Sequence, residues 1–190
     1  MDVFLSPATV LIAAYLGGSI PFGLIVTRLG GKDGIRQIGS GNIGATNVLR
    51  TGNKLLAALT LIGDAGKGAA IVLVVSALGG SPLVIAIAGA ASVVGHCFPV
   101  WLTFRGGKGI ATNVAVFAAF DIRLGLAFAI LWLGTAAVTR YSSLAALVAT
   151  LGCSVTAFWL AMDIPIAVAV LMMSALSWGR HHQNIGRLLT

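Results

Sequence analysis

Long apolar stretches, separated by short turns rich in glycine, proline or charge, run from one end of the chain to the other. A hydrocarbon core of about 30 Å takes ~20 apolar residues as helix, somewhat fewer where a protein thins the bilayer. On that rule the pattern predicts an all-α integral membrane protein with seven transmembrane helices, near 4–27, 55–78, 83–104, 110–120, 124–139, 142–161 and 164–179. The fourth is short enough to be a re-entrant or half helix instead. No linker, charge run, low-complexity tract or internal repeat divides the chain, so 1–190 reads as one domain. Asp2 is the only charge before Arg28 and no basic stretch precedes the first apolar run, so that run is expected to stay as a span rather than be removed as a signal peptide.

Composition sharpens this reading. The chain is 58% hydrophobic and 9% charged, with a mean hydropathy of +1.00, whereas a soluble domain carries about 25% charged residues. Soluble enzymes, disordered chains and nucleic-acid binders are thereby excluded. Glycine, 25 of 190 residues, stands at roughly twice its usual ~7% share, as where membrane helices pack closely. Twelve basic residues against five acids, all aspartate, give +7, a balance suited to anions. The basic residues also set an orientation, because Lys and Arg collect in cytoplasmic loops. Ten of the twelve (Arg28, Lys32, Arg36, Arg50, Lys54, Arg105, Lys108, Arg140, Arg180 and Arg187) fall on one side if the N-terminus is outside and the C-terminus cytoplasmic. Arg123, with Asp121, falls in an outer turn, Asp2 and Asp163 are also outside, and Lys67 lies within a helix. Cys97 and Cys153 lack C-x-x-C spacing and read as small core residues.

The polar residues concentrate in a few places. Gly39, Gly41 and Gly44 satisfy G-x-G-x-x-G, yet no strand precedes them and no βαβ unit fits such a chain, so a dinucleotide site is a poor reading. Glycine loops still hold anions through exposed N–H groups, and a helix starting near Thr46 would add its dipole. Ser40, Asn42, Thr46 and Asn47 supply neutral donors and Arg50 a charged fork. Mere helix capping needs one or two such residues, not five. A second loop, Gly106-Gly107-Lys108-Gly109, lacks Walker spacing but places a lysine among glycines at a helix start, a phosphate-type arrangement; the plainer alternative is a cytoplasmic anchor. His181 and Asn184 share a face if their segment is helical, although a solvated tail is the commoner fate of such an end. Ser143 faces the same side, with capping as its alternative role. Asp64 and Lys67, at i and i+3 inside a span, predict a mutual ion pair behind the site. Pro21 breaks the inner end of the first span and frees carbonyls or opens space there.

Taken together, Gly-Ser-Ile-Pro-Phe-Gly at 18–23, Gly-Ser-Gly-Asn-x-Gly-Ala-Thr-Asn-x-x-Arg at 39–50, Asp-x-x-Lys-Gly at 64–68, Gly-His-x-Phe-Pro-Val at 95–100, Gly-Gly-Lys-Gly at 106–109 and His-x-x-Asn-Ile at 181–185 resemble, in order and spacing, the bacterial acyl-phosphate:glycerol-3-phosphate acyltransferase family, often called PlsY. The resemblance covers essentially the whole chain. It implies a seven-helix fold with its site facing the cytoplasm, and transfer of an acyl group from fatty acyl phosphate to the 1-hydroxyl of glycerol-3-phosphate, giving lysophosphatidic acid and phosphate. It further implies catalytic roles for Ser40, Arg50, His181 and Asn184. Substrate contacts are implied for Gly39, Gly41, Asn42, Gly44, Thr46, Asn47, Gly106, Gly107, Lys108, Gly109 and Ser143, with Asp64, Lys67 and His96 as structural support. No cofactor, metal or obligatory protein partner is expected; the partners are the two substrates and the lipid bilayer. Gln183 departs from the acidic residue of many members, which bears on an ion pair rather than on the chemistry.

Acyl phosphate is already an activated anhydride, so no acyl-enzyme is expected. With no glutamate in the chain and the aspartates far away, paired or among basic neighbours, His96, His181 and His182 remain as possible general bases. His181 suits donation to a phosphate oxygen and His96 a structural role. The donor's own phosphate is then the expected proton acceptor, as the resemblance also implies. The rival functions are a small-anion transporter, which would place its site near the midplane and commonly show related halves, and a structural membrane protein.

Overall fold

The computed structural model describes residues 6–189; the expectations for Asp2 and for residues 4–5 of the first span lie outside the described residues. The described residues form ten α-helices and no strand: α1 Pro7–Gly18, α2 Phe22–Leu29, α3 Ala45–Leu49, α4 Lys54–Ala77, α5 Pro82–Cys97, α6 Ile110–Phe120, α7 Ile122–Thr139, α8 Ser142–Trp159, α9 Ile164–Arg180 and α10 His182–Leu189. All seven apolar segments of the sequence are helical. Five are long and apolar enough to cross a membrane: Pro7–Leu29, Lys54–Ala77, Pro82–Leu102, Ile122–Thr139 and Ser142–Trp159. Ile164–Arg180 becomes a sixth when joined to α10, which leaves it at a 64° bend. α6, at 11 residues, rises only about 16 Å.

Local chemistry sets the helix starts. Ser6, Asn53, Ser81 and Asp121 accept backbone N–H groups in the first turns of α1, α4, α5 and α7, relieving donors that lipid could not satisfy. Pro21 has no N–H to give, and the first span breaks at Ser19–Pro21 between α1 and α2. Lys67 of α4 then donates to the Ile20 carbonyl at 2.7 Å, as the freed-carbonyl reading of Pro21 requires.

Packing departs from chain order: α1 lies on α5, α4 on α5 and α6, and α7 on α8, with α9 against α5 and α8. Both cysteines are free and belong to the main apolar core. Leu55, Ile62, Ile130, Val138 and Val155 point outward, which in a bilayer is their apolar solvent. Close approach depends on glycine at the α1–α5 crossing, where a Cβ on Gly95 would overlap the Tyr15 carbonyl and one on Gly18 the Ser92 carbonyl. Hydrogen bonds from Arg36 to the Arg105 carbonyl, from Arg180 to the Gly106 and Gly107 carbonyls and from Lys108 to Asn184 gather the loops at 30–53 and 98–109 and the start of α10 at one end of the bundle.

Gly95→Val should therefore cost about 1–3 kcal/mol through overpacking, read as a lowered thermal midpoint in detergent. Gly66→Ala, with nothing near its added methyl, should leave the midpoint unchanged or raise it through helix propensity.

Candidate active site

The second glycine loop is built on the end of α5. A helix ends with unpaired carbonyls. Here Gly107 N–H bonds to the His96 carbonyl and Gly106 N–H to that of Cys97, each at 3.1 Å. The chain is thereby drawn back into the bundle before α6 begins. Thr112, in the first turn of α6, donates to the main-chain carbonyl of Asp64 at 2.9 Å, so α6 starts level with the middle of α4. Its short length follows from this deep start.

That geometry corrects the expectation for Gly106 and Gly107. Their amides are taken up inside the chain and are not free for an anion. The Lys108 and Gly109 N–H groups have no bond among the described residues, and the open first turn of α6 follows them. A Cβ on Gly107 would collide with the His96 imidazole, so glycine is required there for packing.

α9 fastens the loop from the other side. Arg180 donates Nε to the Gly107 carbonyl at 3.1 Å and Nη2 to that of Gly106 at 3.0 Å, its guanidinium lying 5.1 Å from the Phe98 ring centre. Ser177 Oγ donates to the Lys108 carbonyl at 3.3 Å and accepts from Asn113 Nδ2 at 2.7 Å. The sequence reading passed over Arg180, Ser177, Asn113 and Thr112 as site residues. Asn113, a fully buried amide within an apolar helix, carried the one available signal.

His181 and Asn184 are brought to this loop, although not on one continuous helix. His181 is the break residue between α9 and α10, and the segment after it is a helix whose residues 182, 183, 186 and 187 are exposed. Lys108 Nζ donates to the Asn184 side-chain carbonyl. His181 Nδ1 lies 2.7 Å from the Ser177 carbonyl; a carbonyl only accepts, so Nδ1 carries the hydrogen and neutral His181 presents Nε2 as an acceptor. Burial pushes the His181 pKa down, with the Ser177 bond opposing and Lys108 and Arg180 assisting. Burial also lowers that of Lys108, joined by the charges of Arg187, Arg180 and Arg50. The charges of three arginines thus act on Lys108, and among the described residues no carboxylate forms an ion pair with it, a balance that an anion would relieve.

The first loop supplies the other wall. Asn47, buried, accepts from Ser40 N–H at 3.1 Å and donates to the carbonyls of Ile35 at 2.9 Å and Asn42 at 2.7 Å. Its amide is consumed in shaping the loop, which corrects its expected role as a substrate contact. Asn42 Oδ1 turns back on Ile43 N–H at 2.8 Å, and Gly41 N–H bonds the Ile38 carbonyl at 3.0 Å, so Gly41 too is an internal donor. Ser40, half-buried, has its hydroxyl 3.4 Å from Asn47 Oδ1. Gly39 and Gly44 keep unbonded N–H groups among the described residues. α3 starts one residue before Thr46, which is exposed, and Arg50 caps the far end of α3 with its guanidinium against Gly39. Arg36 joins the loops by donating to the Arg105 carbonyl at 2.6 Å. Ser143 is half-buried in the first turn of α8; the cap is Tyr141, without a side-chain bond, so Ser143 is not a capping residue.

Behind the loop Asp64 and Lys67 pair at 2.9 Å, with His96 Nδ1 3.5 Å from the same carboxylate oxygen.

Comparison with known proteins identifies the family. A family model described as glycerol-3-phosphate acyltransferase matches residues 8–190. The chain belongs to that family. It is 52% identical to the glycerol-3-phosphate acyltransferase of Agrobacterium fabrum over 187 residues, covering 97% of this chain and 90% of the relative. To that of Caulobacter vibrioides it is 50% identical over 187 residues, covering 98% and 86%. Its fold matches the crystal structure of PlsY, an integral membrane glycerol 3-phosphate acyltransferase, in its glycerol 3-phosphate form (TM-score 0.91, 38% identity, 96% of this chain and 92% of that one). The lysphosphatidic acid form matches with a TM-score of 0.90 at 37% identity, over 96% and 91%. The chain is thus an acyltransferase of the membrane, and the transporter alternative falls away.

Lys108→Ala and Arg50→Ala should each weaken binding of a phosphate monoester by about 1.5–3 kcal/mol, the worth of a charged hydrogen bond, while Arg50→Lys recovers little if the fork binds bidentately. Because the Lys108 pKa is lowered, its charge is lost at a lower pH than that of a free lysine. Affinity should accordingly decline on the alkaline side before the ordinary lysine range, and Lys108→Arg should abolish that decline. Equilibrium binding against pH measures both.

Proposed function

We propose that this enzyme transfers the acyl group of a fatty acyl phosphate to the 1-hydroxyl of glycerol-3-phosphate at the cytoplasmic face of a bacterial cell membrane, releasing lysophosphatidic acid and inorganic phosphate. The observation that carries the reading is the meeting of the two glycine loops at one end of an apolar bundle: Arg36 ties one loop to the other, Lys108 is held by Asn184 and lies within the field of Arg50, Arg180 and Arg187, and the amides of Gly39, Gly44, Lys108 and Gly109 are unbonded among the described residues. Two phosphate-bearing substrates meeting there need this many cations, and a fatty chain needs the surrounding lipid-facing helices.

In the reaction the glycerol hydroxyl oxygen attacks the acyl carbonyl, the bond from that carbon to the phosphate oxygen breaks, and the hydroxyl proton leaves with the phosphate. Lys108, the Lys108 and Gly109 amides and the first turn of α6 hold one phosphate. Arg50, Ser40, Thr46, Asn42 and the free amides of Gly39 and Gly44 hold the second phosphate and the developing oxyanion, while Asn184 orients Lys108 and Ser143 borders the acyl end. Rate enhancement then comes from positioning and charge stabilisation. His181, neutral with Nε2 as acceptor, receives a substrate hydroxyl instead of donating to phosphate. Its free lone pair favours a second reading, in which His181 itself takes the proton.

The direct test supplies purified enzyme with acyl phosphate and glycerol-3-phosphate; lysophosphatidic acid and phosphate should appear together, and absence of either product sinks the reading. For His181→Gln at saturating substrates across pH 6–9, a modest fall in kcat is expected. A ~10²- to 10⁴-fold loss with disappearance of a titration would make His181 the base.

A cysteine-free background, Cys97→Ala with Cys153→Ala, should retain turnover, and no radiolabelled acyl group should remain on denatured protein. In that background cysteines at 37 and 184 should resist a membrane-impermeant reagent in intact cells, whereas one at 80 should react; labelling at 37 or 184 would reverse the orientation.

A further inference from the structure

Asp64, Lys67 and His96 take no part in the transfer described above, yet they place two charges and an imidazole within lipid depth. All three are buried, a costly arrangement unless it does something. Lys67 Nζ donates to Asp64 Oδ1 at 2.9 Å and to the Ile20 carbonyl at 2.7 Å, tying α4 to the break in the first span. The Asp64 main-chain carbonyl receives Thr112, in the first turn of α6. His96 meets the glycine loop twice: its carbonyl receives Gly107 N–H, and its ring occupies the space a Gly107 side chain would need, with Nε2 nearest. Among the described residues His96 Nδ1 makes no hydrogen bond. The Asp64 carboxylate, 3.5 Å away, is the acceptor placed to orient the ring.

We propose that Asp64, Lys67 and His96 are positioning residues that set the height and tilt of the 106–109 loop, and through it the aim of Lys108 and the amides after it at the phosphate of glycerol-3-phosphate. The inference rests on the proposed reading that this loop holds that phosphate. Asp64 fixes the imidazole, the imidazole fixes Gly107, and Lys67 neutralises Asp64 while anchoring it to Ile20. Groups held only by the loops' own backbone could drift, and displacement by about 1 Å is enough to lose ~10²-fold in function.

The test compares wild type with His96→Gln, Gly107→Ala and the charge-neutral double variant Asp64→Asn/Lys67→Met, which avoids stranding one buried charge. Each is purified in nanodiscs, its thermal midpoint recorded, and KM measured for both substrates. The expected result is a KM for glycerol-3-phosphate raised about tenfold or more, with kcat and the KM for acyl phosphate within about threefold of wild type. A purely structural role would not single out one substrate. Folded variants with an unchanged glycerol-3-phosphate KM, an equal loss for both substrates, or failure of all three variants to fold would overturn the proposal. Wild type that makes no lysophosphatidic acid would instead overturn the functional reading beneath it.

Discussion

The structure depends on the way the C-terminal carbonyls of α5 are satisfied. In a bilayer these groups have no water to turn to, and an unpaired one costs several kcal/mol. The amides of Gly106 and Gly107 take the carbonyls of Cys97 and His96 respectively, so the loop after α5 folds back into the bundle instead of running out along the surface. Three consequences follow from this one closure. α6 begins deep and is short, Lys108 is half-buried where Asn184 can accept from it, and α9 finds loop carbonyls for Arg180 to hold.

The closure is also why the two glycine loops differ in character. The loop at 39–50 is held by one saturated amide, Asn47, which bridges three backbone segments and leaves the amides of Gly39 and Gly44 unbonded. The loop at 106–109 is held by backbone from within and by Arg180 and Ser177 from α9. Loops pinned from several elements keep their donors aimed without an ordering cost at each turnover, which is what catalysis by positioning asks of them. The same pinning reaches His181: Ser177 gives its hydroxyl to the loop and its carbonyl to the histidine ring, so ring tautomer and loop placement share one residue.

Much of this was legible in the sequence. The helical membrane class came from hydropathy, because lipid admits few alternatives to long apolar helices. The Asp64–Lys67 pair, the burial of both cysteines and the break at Pro21 all appear as read. Each is decided by local spacing or by a strong transfer energy. The motifs were sufficient to assign the family, which the matched relatives bear out.

What the tertiary structure alone decided is which polar atoms remain free. Composition marks Gly106, Gly107, Gly41 and Asn47 as donors alike with Lys108, but whether a donor is available depends on which carbonyls lie opposite it, and those belong to residues distant in sequence or across a turn. The tautomer of His181 is fixed by the Ser177 carbonyl one helical turn away and by where α9 happens to end. The roles of Arg180, Ser177 and Asn113 were hidden for the same reason: as sequence they are a terminal charge and two polar residues in apolar helices, and only packing against the loop gives them partners. Hydrophobic periodicity records where a helix runs; hydrogen bonds between helices are pairwise and non-local, and one chain read in order does not contain them.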